Sequence, residues 1–124
     1  MRMNWIRTAI IALMLCIGTQ QLVIADEPEV IAAADAAAHV GQTATVQGLV
    51  ASVYVSQKGN AFLNFGAPYP NQIFSGVIFS SSAAQFGDLT RYRGKQVLVI
   101  GQIRLYKGKP EIILESPDQL RVAP

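Results

Sequence analysis

The sequence predicts an all-β domain, a five-stranded barrel with two short helices, and three observations support it. Runs rich in β-branched and aromatic residues, separated by glycine and proline turns, fill the chain after Gly41. Two of these segments, 41–50 and 94–103, share a frame of glycine, a polar residue, five further residues and a second glycine. The glycines inside these strands, Gly48 and Gly101, favour a bulge or a tight barrel corner.

Residues 1–25 have the pattern of a secretory signal peptide. Arg2 and Arg7 supply a positive start, residues 8–18 form an apolar run, and Ala25 is a small residue before a polar stretch. The apolar run is shorter than the roughly 20 residues that span a bilayer. We therefore expect cleavage near Ala25 and an exported chain, periplasmic or extracellular. A retained membrane anchor is the alternative.

Cysteine and charge limit the chemistry of the remaining chain. The only cysteine, Cys16, lies inside the predicted signal, so the rest has no disulfide and no thiolate. Without Arg2 and Arg7 the charges balance, eight basic residues against eight acidic ones. Seven of those eight bases lie from Arg91 onward. This distribution predicts a local basic patch and excludes an overall basic field.

Residues 26–40 are predicted to be an N-terminal extension with one short helix, because apolar residues recur there at helical spacing after Pro28. The domain proper is predicted at 41–124. Its first strand is a long β-branched run, and the turn Lys58-Gly59-Asn60 returns it as a hairpin. The predicted strands are 43–56, 61–66, 73–79, 95–106 and 110–115, with a helix or helical turn at 80–92 and a short edge segment within 116–122.

Three strands, a helix and then two strands is the order of the oligonucleotide/oligosaccharide-binding (OB) fold, a partly open Greek-key barrel. An SH3-like barrel, which seldom carries the intervening helix, and a small β-sandwich are the alternatives. The predicted fold is therefore a five-stranded OB-fold Greek-key barrel. It has a short N-terminal helix and a short helix between strands 3 and 4, and a signal peptide precedes it.

Turn, bend and core residues also carry a family resemblance. They include Val46-Gln-Gly48, Lys58-Gly59 with Phe62-Leu-Asn-Phe-Gly66, Pro68-Tyr69-Pro70, and Tyr106-Lys-Gly-Lys-Pro-Glu-Ile-Ile-Leu114. In these residues the sequence resembles small bacterial OB-fold domains of the nucleic-acid-binding, anticodon-binding-like set. Some members are exported alone, and others are appended to nucleases of the phospholipase D type. The resemblance covers most of the chain after the signal and implies nucleic-acid binding, by analogy of fold.

Catalytic chemistry has little support in the sequence. The single histidine, His39, is predicted to end the first helix as a cap or an exposed residue. One histidine and no cysteine exclude a zinc site. Glu111 and Glu115 are predicted to share a strand face about 13 Å apart, beyond the separations used in glycoside hydrolysis. We expect no enzyme activity, no cofactor and no metal site.

Binding has more support. Lysines in two glycine turns, 57–60 and 106–110, are expected to let a phosphate backbone approach closely. Tyrosines suit a wet stacking platform for bases, and one strand arginine places a cation near it. The predicted nucleic-acid-binding residues are Tyr54, Lys58, Tyr69, Arg104, Tyr106, Lys107 and Lys109. The phenylalanines are expected in the core: Phe62, Phe65, Phe74, Phe79 and Phe86.

The sequence thus favours an exported OB-fold module that binds single-stranded DNA or another nucleic acid without catalysis. The alternative is an envelope protein–protein or oligosaccharide-binding adaptor. The neutral charge and the aromatic-rich stretch 65–71 favour that alternative. Tyrosines and bases gathered on one surface would favour nucleic acid, whereas scattered positions would favour the adaptor.

Overall fold

The computed structural model describes residues 29–124. The predicted signal peptide, residues 1–25, and its cleavage site near Ala25 lie outside the described residues. Within 29–124, none of the helices has the length and apolar character that a membrane crossing requires.

Strands make up nearly half of the described chain. Their bounds are β1 Glu29–Ala32, β2 Thr43–Val55, β3 Ala61–Phe65, β4 Phe74–Ile78, β5 Gln96–Gln102, β6 Arg104–Tyr106, β7 Lys109–Ile113 and β8 Leu120–Val122. The one α-helix described, α1, spans Ser80–Ala83. Short 3-10 helices lie at Ala33–His39, Ala84–Phe86, Leu89–Tyr92 and Pro117–Gln119.

The strands form one open sheet with the order β6-β7-β4-β3-β2-β5-β8, and β1 pairs with β2 beside this path. Two pairs are parallel, β1 with β2 and β4 with β7. The others are antiparallel, as hairpins and returns require.

The predicted five-stranded barrel is therefore corrected to an open sheet of eight strands in the described chain. Two strands, β1 and β8, pair beside the five predicted ones, and β8 lies in the predicted edge segment 116–122. The predicted strand 95–106 divides at the buried Ile103, because its backbone N–H donates to Gln42 and its carbonyl accepts from Gly41. These bonds end the pairing of β5 with β2. The next strand, β6, lies near the opposite end of the strand order and pairs with β7.

The N-terminal extension also differs from its prediction. The predicted helix begins as strand β1, because Val30 and Ile31 are β-branched and pair with β2. Among the described residues of the extension, 29–40, the segment Ala33–His39 alone is helical, as a 3-10 helix. Isolated helices this short are marginal, so burial of Ala33 and Ala36 holds it in place. The prediction that His39 ends the helix is confirmed; its Nδ1 lies 3.0 Å from Oε1 of Gln42.

The mid-strand glycines serve close packing instead of a bulge. The bulge of β2 lies at Ala51, where the pairing with β3 shifts register between Val50 and Ser52. A Cβ on Gly48 would lie 2.8 Å from the Cβ of Ala33 and 2.9 Å from Cδ2 of Phe65. Both distances are shorter than a van der Waals contact between carbons. Glycine at this position lets the N-terminal helix and β3 approach β2.

Replacing Gly48 with alanine is expected to lower the free energy of unfolding by about 1–3 kcal/mol, the usual cost of overpacking. The added methyl group would meet Ala33 and Phe65 at once. Urea denaturation measures the change. Gln47→Ala is the matched control, because its side chain is exposed on the same strand. Equal stability of the Gly48→Ala variant and the unchanged protein would contradict the close packing.

The long strand β2 joins two parts of the sheet, β3, β4, β7 and β6 on one side and β5 and β8 on the other. The core lies between these two parts and under the helices. Phe65 and Phe74 pack edge to face, with centroids 5.2 Å apart and an interplanar angle of 73°. Phe65, Phe74 and Phe86 are buried, which confirms their prediction. The core prediction is wrong for two phenylalanines: Phe62 is half-buried on the opposite face of β3, and Phe79 is 45% exposed before α1.

Candidate functional site

A groove of about 910 Å³ crosses the outer face of β2, β3, β4 and β7. Alternation along each strand creates this face: on β3, Leu63 and Phe65 point into the core, whereas Phe62 and Asn64 face the groove. The groove is lined by Ser52, Val53, Tyr54, Ser56, Phe62, Asn64, Pro68, Tyr69, Pro70, Gln72, Ser75, Tyr106, Lys107, Lys109, Pro110 and Glu111.

A row of polar side chains crosses the floor of the groove and ends beside it at Arg104. Ser52 pairs with Asn64, Asn64 with Ser75, Ser75 with Glu111, and Glu111 with Arg104, each on the next strand. The amide of Asn64 donates to Oγ of Ser52 and accepts from Oγ of Ser75, both at 3.2 Å. These two hydrogen bonds hold the Asn64 amide in one orientation. We call these five residues the polar row.

The carboxylate of Glu111 is the acidic group of the polar row. Burial raises the pKa of Glu111 above its ordinary value of 4.5, and the charge of Arg104 offsets part of that rise. Oε2 of Glu111 lies 3.4 Å from Nε of Arg104, whose side chain is about half exposed. The carboxylate therefore accepts one charged partner and keeps its other oxygen without a hydrogen bond among residues 29–124.

Replacing Glu111 with glutamine is expected to stabilise the fold at neutral pH and not in acid. A carboxyl whose pKa is raised on folding favours the folded state only while protonated, and this contribution is lost as pH rises through the folded pKa. The advantage of Glu111→Gln should therefore grow above pH 4.5. Chemical denaturation over a pH series measures it.

Glu115→Gln is the control for that series, because Glu115 is exposed and lies after β7. A Glu111→Gln variant whose advantage does not grow with pH would show that Arg104 outweighs the burial of the carboxylate.

Three exposed tyrosines stand around the groove. Tyr54, Tyr69 and Tyr106 are 57%, 75% and 54% exposed. Tyr54 stacks on Phe62 with centroids 6.0 Å apart and 28° between the planes. Nζ of Lys107 lies 5.4 Å from the ring centroid of Tyr106, a cation–π contact. The groove thus offers flat aromatic faces to a ligand, beside one ammonium group.

The β6–β7 hairpin places Tyr106 and Lys107 at the end of the groove. Its two-residue loop is Lys107-Gly108, with φ of 51° and 82°. Positive φ at both central residues is the type I′ turn that matches strand twist. Glycine suits this conformation, and Lys107 adopts it at a modest steric cost.

Lys109 ties a loop to the sheet. Its Nζ donates to the carbonyl of Pro70 at 2.5 Å and to the carbonyl of Gln72 at 3.0 Å. These bonds anchor the β3–β4 loop, which carries Tyr69. The side-chain Oε1 of Gln72 is buried beside them and has no hydrogen-bond partner among the described residues. Lys109 therefore positions the groove wall, and two of the three N–H donors of its ammonium are used within the fold.

The structure brings together five of the seven predicted site residues: Tyr54, Tyr69, Tyr106, Lys107 and Lys109 line the groove. Arg104 lies next to it through Glu111. Lys58 does not line the groove, since it lies in the turn after β2, beyond Tyr54.

The floor of the groove was not predicted from the sequence; it is formed by Ser52, Phe62, Asn64, Ser75, Gln72 and Glu111. Alternation on the predicted strands was the available signal, because Phe62 and Asn64 lie two apart and opposite to Leu63. The register of the strands determines which residues of neighbouring strands meet. The bulge at Ala51 shifts the register of β2 against β3. Within residues 29–124, no group of three acidic, histidine or cysteine side chains is arranged to hold a metal ion.

The chain matches no protein-family model and no curated protein sequence. Solved structures do match. One is a protein assigned as an aspartyl-tRNA synthetase from Leishmania major Friedlin, with a TM-score of 0.50 and 8% identity over 94% of this chain and 25% of that chain. The chain thus spans about a quarter of the length of that protein. Another is the Stn1-Ten1 complex of S. pombe, with a TM-score of 0.43 and 17% identity over 82% of this chain and 81% of that chain.

The strand order and the helical segment between β4 and β5 define an OB-like β-protein. The synthetase match, at 8% identity, supports this fold and nothing more. A TM-score of 0.43 is too low to add to it.

Proposed function

We propose that this chain is an OB-like binding module that holds single-stranded nucleic acid in the groove, DNA first, without catalysis. The observation that carries the proposal is the convergence of Tyr54, Tyr69 and Tyr106 on one groove from three separate parts of the chain. Stacking on aromatic side chains is how OB folds hold single strands irrespective of sequence. The groove lies where OB folds present their ligand face.

The charges of the groove predict weak binding that depends only shallowly on salt. Lys107 is available for a phosphate, whereas Lys109 is bonded to two carbonyls and Arg104 pairs with Glu111. Few phosphate contacts mean a shallow dependence on salt and low affinity. In this proposal stacking supplies most of the binding free energy.

Fluorescence anisotropy with a labelled single-stranded oligonucleotide, titrated over a salt series, tests the proposal. Affinity should fall with salt, and Lys107→Ala should reduce the slope of log K against log salt by about one. Arg121→Ala is the control, because this base lies on β8 and does not line the groove. A flat titration at low salt and high micromolar protein would overturn the proposal.

We further propose that the protein is exported and that residues 1–25 are a signal peptide cleaved near Ala25, with the rest released to the periplasm or the medium. The charged start and short apolar run support this. Mass spectrometry of the N-terminus in envelope and medium fractions tests it.

The proposal also includes a five-strand Greek-key framework, in which β5 and β6 together supply one strand with β2, β3, β4 and β7.

An envelope oligosaccharide or protein adaptor is the second candidate. Two observations favour it: the balanced charge outside residues 1–25 and the mixture of aromatic faces with polar side chains in the groove. A glycan screen and a pull-down from envelope extract test this function. Saturable glycan binding that Tyr106→Ala abolishes, with no oligonucleotide binding, would favour it over the first proposal.

A further inference from the structure

We propose that the floor of the groove selects cytosine and adenine, which carry an amine at N4 and N6, over uracil and thymine, which carry a carbonyl oxygen at the corresponding position. This inference rests on the proposed function and assigns the selection to Glu111 and Gln72. Stacking on the tyrosines tolerates every base, since each base has a flat face. Differences in stacking strength give only modest preferences among bases, so a preference that follows the amine would come from the polar groups of the floor.

The carboxylate of Glu111 is the strongest hydrogen-bonding group of the floor, and it only accepts. Arg104 occupies Oε2 from the side of β6 and is itself outside the groove lining, so the other carboxylate oxygen is left for a ligand. Asn64 does not compete for that oxygen, because its amide is held by Ser52 and Ser75. A ligand that reaches the end of the polar row meets an acceptor that needs an N–H donor.

Gln72 provides a second acceptor at the same end of the groove. Its Oε1 is buried and has no partner among residues 29–124. A buried acceptor without a donor is unfavourable, so rotation of the Gln72 side chain, which lines the groove, toward a ligand N–H would relieve that cost. Lys109 holds the backbone of Gln72 against β7, and Lys109 and Glu111 alternate on the same face of that strand. Both acceptors therefore line one part of the groove.

Base chemistry then determines the preference. Cytosine presents an N4 amine and adenine an N6 amine, both donors, whereas uracil and thymine present a carbonyl oxygen at the corresponding position. A carboxylate accepts from the N4 amine of cytosine. An ionised carboxylate has no hydrogen to donate to the carbonyl oxygen of uracil or thymine, so these two acceptors repel each other. Cytosine and uracil are a matched pair for a test, because they are similar in size and both are pyrimidines.

The test is competition anisotropy on the whole protein, with unlabelled oligo-deoxycytidine and oligo-deoxyuridine of equal length, each displacing a labelled mixed strand at fixed low salt. We expect oligo-deoxycytidine to bind about tenfold more tightly, the ratio typical of one good base contact. Glu111→Gln should bring the ratio close to one, because glutamine offers a donor as readily as an acceptor. Gln72→Leu should lower the ratio as well.

Lys107→Ala is the control, since loss of a phosphate contact weakens both oligonucleotides equally and keeps their ratio. Measurable binding with equal affinities, or a preference for oligo-deoxyuridine, would overturn this inference and leave the proposed function standing. If neither oligonucleotide binds and the labelled strand does not bind either, the proposed function itself is overturned. A ratio that survives both Glu111→Gln and Gln72→Leu would overturn the assignment to these residues.

Discussion

Replacing Tyr54 with alanine is expected to weaken single-strand binding about tenfold or more. Tyr54 lies within the long strand β2, is 57% exposed and stacks on Phe62. A strand and a neighbouring ring hold its face ready for a base, so little entropy is lost on binding. Loss of one base–aromatic stack costs about 1–3 kcal/mol, and 1.4 kcal/mol is a factor of ten. Anisotropy titration at fixed salt measures the change.

Phe79→Ala is the matched control for that experiment. Phe79 is also an exposed aromatic residue, but it lies before α1 and does not line the groove. Its loss should leave the affinity unchanged, whereas Tyr54→Phe should keep most of it because the ring remains. Equal affinities of Tyr54→Ala and the unchanged protein would place the ligand elsewhere on the molecule.

The second large effect is on stability: Phe65→Ala is expected to lower the free energy of unfolding by about 3–5 kcal/mol. Phe65 is fully buried, packs edge to face on Phe74 and lies over Gly48. Small domains have only about 5–15 kcal/mol of stability in total, so this variant approaches the limit of folding. Urea denaturation followed by circular dichroism measures it.

Phe62→Ala is the control on the same strand. Phe62 faces the groove and is half-buried, so its removal should cost clearly less stability than that of Phe65. Equal losses for the two variants would contradict the assignment of Phe65 to the core face and Phe62 to the groove face.

Much of the strand layout was predictable from the sequence, because β-branched runs and glycine turns act locally. The predicted strand 43–56 is β2, and 61–66 and 73–79 match β3 and β4 within a residue or so. The predicted edge segment at the end of the chain is β8. The helix predicted over residues 28–40 was wrong at its start, because pairing of β1 with β2 outweighs the helical spacing of alanines.

The candidate site was predictable only in its exposed aromatics. Tyrosines in and beside strands are suited to a wet surface whatever the register, and all three predicted tyrosines line the groove. Lys109 illustrates the limit of such reasoning. Its two carbonyl partners, Pro70 and Gln72, are far from it in sequence, so no local pattern shows that the ammonium is already bonded.

The sequence by itself determined that this protein is built of strands, where most of them lie, and which aromatic residues suit a binding surface, since these follow from local propensity and alternation. Only the tertiary structure decided the sheet order, the division of the strand at Ile103 and the polar row from Ser52 to Arg104. The reason is physical: register and sheet closure depend on contacts between distant residues, and one bulge in β2 changes which side chains meet.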